Sequence, residues 1–164
     1  MYGQAKDSNL TSSYDVPKNY QADRQRNAER LGHAGLIPFV CLAAAQLMVA
    51  PERVESVQVA LHIYSVVIMN FVAGSLWSQS LQHAARRHDT TVQTFSILLS
   101  LLSWLTFLID VHMGLLVMAV AFGVLRLFER EFSHAWRVPR WYEQLRDRLT
   151  VVVACSLILV VVTL

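Results

Sequence analysis

VQVALHIYSVVIMNFVAGSLWS, residues 57–78, runs 22 residues without an Asp, Glu, Lys or Arg. At ~1.5 Å of rise per residue it makes roughly 33 Å of helix, enough for the ~30 Å hydrocarbon core of a bilayer. A soluble core helix seldom needs that length without one charge, so the stretch reads as a transmembrane helix. Over the whole chain 54% of residues are apolar and 16% charged, against ~25% charged in ordinary soluble domains. Nearly all the charges lie in the first 30 residues or in two short windows, 79–91 and 126–148. A net charge of +2 is too small to point to nucleic acid.

Outward from that stretch, four more spans are predicted. LGHAGLIPFVCLAAAQLMV (31–49) precedes it; Pro38 is expected to kink this helix by removing a backbone hydrogen bond, and Gly32 and Gly35 thin one side of its first turns. APERVES (50–56) reads as a tight polar turn. VQTFSILLSLLSWLTFLI (92–109) follows a polar loop, and the very short turn 110–112 makes spans three and four antiparallel neighbours. The fourth span covers 113–128, with Arg126 expected to snorkel to the surface. A basic, aromatic linker runs over 129–148, and the fifth span covers 149–164. The fold class is therefore an all-α polytopic membrane bundle in one domain. Residues 1–30 lack the apolar core of a signal peptide and read as a mostly disordered polar tail, in which DRQRNAER (23–30) is able to form a short helix.

Lys and Arg give the orientation. With the N-terminus cytoplasmic, Lys6, Lys18, Arg24, Arg26, Arg30, Arg86, Arg87, Arg126, Arg130, Arg137, Arg140, Arg146 and Arg148 all lie inside, and Arg53 alone lies outside. This follows the positive-inside rule and places the C-terminus outside. An even number of spans would spoil the partition.

Several side chains stand out against that frame. Asn70, Gly74 and Ser78 fall at i, i+4 and i+8 on the second span, with Ala73 and Trp77 beside them. Ser96, Ser100 and Ser103 form a second stripe on the third span, and Ala119 and Gly123 are four apart on the fourth. Two readings stay open: the stripes face each other as small-residue helix packing with Asn70 bonding across, or they line a polar cavity. Cys41 and Cys155 read as reduced thiols buried like small hydrophobes. His33, His62 and His112 are scattered over two faces and read as interfacial polar residues rather than a metal set. In FSHAWRVPRWY (132–142), Trp136, Trp141 and Tyr142 are expected at headgroup level with Arg137 and Arg140 meeting anionic lipid; docking of a partner protein is the alternative, ahead of nucleic acid. No Asp, Glu, Lys or Arg stands mid-span, which disfavours ion-coupled transport. No nucleophile–base pair, phosphate-cradling loop or metal pattern appears, so neither enzymatic activity nor a cofactor is expected.

LGHAGLIPF (31–39), YSVVIMNFVAGSLW (64–77) and WYEQLRDRLT (141–150) fall in the order and spacing of the DUF3429 family, which this chain resembles over about residues 30–164. That family comprises transmembrane protein 69-like small polytopic membrane proteins. The resemblance implies an inner-membrane protein, bacterial or mitochondrial, and brings no activity with it. The tail is too acidic for a good transit peptide, which favours the bacterial cytoplasmic membrane. The family pattern usually carries His or Arg before the Trp of the second span; here Leu76 precedes Trp77, with Ser75 beside it, so a family function that needs that polar group is lost or changed in this chain. The function expected is that of a scaffold or accessory subunit, whose partners are the bilayer, another membrane protein or a second copy. The alternative is a conduit or small-molecule binder.

Overall fold

The computed structural model describes residues 18–82, 89–133 and 138–163. In these, six α-helices and one 3-10 segment follow each other: α1 Lys18–Ala34, α2 Ile37–Gln46, α3 Pro51–Gln82, α4 Asp89–Leu105, the 3-10 turn Thr106–Leu108, α5 Val111–Ser133 and α6 Arg140–Val162. From α2 to α6 the helices alternate up and down. One end of the bundle, the arginine end, holds the α1–α2 junction, the start of α6 and the end of α5. The opposite end holds the 3-10 turn and the last turn of α6.

Three of these helices are long and apolar enough to cross a bilayer, over Pro51–Leu81, Thr90–Leu108 and Val111–Glu131. α3 is the organising element and packs against α2, α4 and α5, while α6 closes the bundle against α5 and α2. The core is apolar and aromatic: Phe39 is fully buried, meets Tyr64 edge-on at 4.9 Å and Phe122 at 6.3 Å, and shares the core with Leu61, Met69, Leu115, Met118 and Leu157. The outer surface is apolar as well. Leu98, Leu101, Trp104, Leu108, Val120 and Leu127 are each more than half exposed, the pattern of helices solvated by hydrocarbon rather than water.

Several boundaries differ from the expectations. Residues 18–30, expected to be mostly disordered, belong to α1. The first span is two helices, broken at Gly35 and Leu36, with Pro38 in the first turn of α2; the missing Pro38 N–H would otherwise have bonded back across the break. Tyr64 of α3 reaches that break, its hydroxyl donating to Gly35 O at 2.9 Å. Residues 51–56 are not a turn but the first turns of α3, where a leading Pro and Glu52 suit a helix start. The expected linker 129–148 is mostly helical: α5 runs on to Ser133 and α6 begins at Arg140.

Spans three and four are antiparallel but are not side-by-side neighbours throughout. α4 leans on α3. It meets α5 through stacked Phe95 and Phe128 rings, 3.8 Å apart, and through the 3-10 turn. Between these points lies an apolar groove of about 430 Å³ lined by Leu98, Leu99, Leu102, Leu116, Val120 and Val124 among others.

Candidate functional site

The densest polar chemistry lies at the arginine end, between α5 and α6. Arg126 does not snorkel; it is 7% exposed. Its Nε donates to Asp147 Oδ1 at 2.6 Å, its Nη2 to the carbonyl of Glu143 at 3.2 Å, and its Nη1 lies 3.8 Å from Glu129 Oε2. Arg146 answers from α6, gripping Glu129 with Nη2 at 2.6 Å and Nε at 3.2 Å. Arg130 Nη2 reaches Asp147 Oδ1 at 2.8 Å. Charge at helical spacing builds this network: positions 126, 129 and 130 share one face of α5, and 143, 146 and 147 one face of α6. Burial pushes the Asp147 carboxyl up, but the hydrogen bonds and charges of Arg126 and Arg130 outweigh it and hold it below the ordinary carboxylate range. Arg126, Arg130 and Arg146 here face Glu129 and Asp147, and Glu143 stands on the same face of α6, so charges of the two signs balance within the set. Leu76, buried at 2%, abuts this network and shares a small pocket with Gln79, Arg126, Glu129 and Tyr142.

Beside the network, between the α1–α2 bend, α3 and α6, lies an apolar crevice of about 190 Å³. Leu36, Phe39, Val72, Phe122 and Val153 form much of its wall, and Arg146 and Thr150 are the polar side chains in its lining.

The stripes singled out in the sequence meet at one point. Asn70 Nδ2 donates to Ser103 Oγ at 2.9 Å and to its own helix at Val66 O. Ser96 and Ser103 are buried and return their hydroxyls to Val92 O and Ser100 O. Ser100 is half-buried. Gly74 and Ser78, by contrast, lie exposed on the outside of α3, and a Cβ added at Gly74 would meet nothing within 4 Å. Ala119 is in the core, while a Cβ at Gly123 would also meet open space. Of the expected interfacial anchors, Arg140 is exposed and Trp141 and Tyr142 are half-buried, ring against ring at 5.8 Å. Trp136 and Arg137 lie outside the described residues.

The opposite end holds two polar clusters that sequence reasoning missed. His62, expected at the interface, is 4% exposed. Its Nε2 bonds Thr106 Oγ1 at 2.7 Å, and Thr106 in turn donates to Ser103 O at 2.6 Å. Because the Thr106 proton is committed to that carbonyl, its oxygen accepts and Nε2 of His62 carries the hydrogen. Phe107 lies 4.9 Å from the imidazole on one side and Gly114 presses on it from α5, where a Cβ would stand 2.7 Å from Cε1. In the second cluster Gln46 Nε2 donates to Val160 O and Thr163 Oγ1, both at 3.0 Å, and Gln58 Nε2 donates to Gln46 Oε1 at 3.3 Å. Thus α2, α3 and the end of α6 are pinned together. In the turn nearby, the backbone N–H of His112, 3.0 Å from Asp110 Oδ2, is the main cause holding that exposed carboxyl below its ordinary range.

Cys41 and Cys155 are free and exposed, not buried as expected. In lipid an apolar thiol gains little by facing inward. Among the described residues no group of three or more His, Cys, Asp or Glu converges as metal ligands.

A family model described as "Protein of unknown function (DUF3429)" matches residues 24–162. Transmembrane protein 69 of Xenopus tropicalis is 29% identical over 137 residues, which cover 83% of this chain and 54% of that protein. The chain thus spans about half the length of that curated relative. No solved structure matches. The match and the three bilayer-length apolar helices together mark a membrane protein.

Proposed function

The chain belongs to the DUF3429 family, and from that premise we propose that it acts as a non-enzymatic scaffold or accessory subunit that packs through its α3 face against a membrane partner or a second copy. One observation carries this reading: Gly74 and Ser78 are left open on the bundle's outer surface, with nothing within 4 Å of a Gly74 Cβ. Small residues on a lipid-facing helix let a second backbone approach closely, and dispersion rather than water drives that association. The conduit reading is less well supported. The serines and Asn70 that would line a polar path bond one another or their own helices, and the crevice walls are almost wholly apolar.

The same proposal includes five membrane crossings with the N-terminus inside. α2 has 10 residues and reaches about 15 Å, so it crosses only together with the last turns of α1. α6 crosses with its apolar half, and its Arg140–Arg148 half lies at the headgroups. The partition of basic side chains supports placing the arginine end in the cytoplasm. A bacterial cytoplasmic membrane is the compartment proposed.

Chemical cross-linking in native membranes, followed by purification in mild detergent, tests the scaffold reading. A cross-linked or co-purifying partner that disappears in Gly74→Phe is expected. A strictly monomeric protein with no companion overturns it.

A further inference from the structure

The crevice beside the arginine network opens sideways. Leu31 and Phe71 both line it and are each 74% exposed. In a bilayer such an opening faces hydrocarbon, and an apolar slot of about 190 Å³ without contents forfeits the dispersion contacts of its walls. Hydrocarbon alone does not explain its polar end. Arg146 and Thr150 are four residues apart on α6 and share one face. The Arg146 side chain is 13% exposed. Glu129 engages its Nε and Nη2, and Nη1 forms no hydrogen bond among the described residues. Ser65, Ser96 and Ser156 each return the hydroxyl to a carbonyl of their own helix. The Thr150 hydroxyl forms no hydrogen bond among the described residues. The two polar residues of the lining therefore each keep one donor uncommitted. Arg30 and Arg148, next in sequence to the lining residues Leu31 and Leu149, are exposed and add basic charge at the mouth of the crevice.

We propose that this crevice seats one acyl chain of an anionic phospholipid, whose headgroup phosphate accepts hydrogen bonds from Arg146 Nη1 and the Thr150 hydroxyl. The chain fills the space between α2, α3 and α6, and the net negative head meets the basic end of the bundle. The site is independent of the exposed Gly74 face, so its fate and that of the scaffold reading are separable.

Native mass spectrometry of the full chain in mild detergent tests it, with phosphatidylglycerol and phosphatidylcholine of identical acyl chains as probes. One phosphatidylglycerol per protein is expected, retained about fivefold better than phosphatidylcholine, as one juxtamembrane arginine warrants. Arg146→Gln should bring the two lipids level. Thr150→Leu, which leaves the Glu129 pair intact and fills part of the slot, should weaken both; Ser156→Ala on the same helix should change neither. Should Arg146→Gln fail to fold, Thr150→Leu decides. Equal retention of the two lipids by the unaltered chain overturns the proposal, as does retention that Thr150→Leu leaves unchanged.

Discussion

Gly114→Ala offers a sharp test of the packing at the end opposite the arginines. In a helix interior this change ordinarily gains ~1 kcal/mol, because alanine loses less backbone entropy than glycine. Here the added Cβ would stand 2.7 Å from Cε1 of His62, 3.0 Å from Nε2 and 3.3 Å from Nδ1. The imidazole has little room to yield: Phe107 lies 4.9 Å from it and Thr106 holds its edge at 2.7 Å. Overpacking of a filled site costs ~1–3 kcal/mol, and a broken buried hydrogen bond a further ~1–3 kcal/mol. Since the ring is able to tilt and keep part of the bond, a net destabilisation of about 1–3 kcal/mol is expected after the helix gain is subtracted. Reversible unfolding in mixed micelles of mild detergent and dodecyl sulfate, followed by circular dichroism, measures it. The decisive arm is the double-mutant cycle. In a His62→Ala background the space is vacant, so Gly114→Ala should become neutral or stabilising by up to ~1 kcal/mol. If Gly114→Ala costs the same in both backgrounds, within about 0.5 kcal/mol, the imidazole contact is not what makes the glycine necessary.

Other outcomes follow from the same contacts. Asp147→Asn leaves the buried Arg126 with a weakened partner; because the Asp147 side chain is 36% exposed, the loss is put at about 1–3 kcal/mol, below the range for a fully buried pair. The folded state holds the Asp147 carboxyl below its ordinary value, so its stabilisation is fully present above the ordinary carboxylate range and lost as pH falls through the depressed value; the same micelle unfolding repeated on acidification should show the loss, and Asp147→Asn should flatten it. Asn70→Leu removes the bond to Ser103 and should cost ~0.6–2 kcal/mol. Gly74→Leu, at an open mid-helix position, should leave monomer stability unchanged or raise it by up to ~1 kcal/mol, while partner capture by cross-linking falls.

The membrane-embedded class was legible because lipid imposes its demand on composition: a water-soluble fold rarely carries an uncharged run as long as residues 57–78. Helix ends were less legible, because hydropathy reports the surrounding medium and not where a helix stops. Pro51, Glu52 and Arg53 look like a turn when scored for polarity, yet they make a good first helical turn. The same blindness concealed the helical continuation through Glu129 and Arg130. Arg126 looked like a snorkelling residue because its partner Asp147 lies 21 residues on. The clue available was charge of both signs at three- and four-residue spacing on each side of residues 134–137. The Asn70–Ser103 bond was foreseeable from small-residue periodicity, whereas the outward position of Gly74 was not: periodicity identifies a stripe but not its neighbour. His62 against Gly114 depends on how α3 and α5 rotate against each other, which only the assembled bundle determines.

The glutamine pin between α2, α3 and α6 bears on how this chain matures. Gln46 and Gln58 leave the ribosome about a hundred residues before Val160 and Thr163, the groups that Gln46 engages. Until then their amides can satisfy little but each other, in surroundings hostile to unpaired polar atoms. In the folded bundle the last turn of α6 closes this polar set, so loss of Val160 and Thr163 would leave the Gln46 amide without either acceptor. A polypeptide stopped short of Val160 would expose a polar defect of the kind membrane quality control recognises and removes.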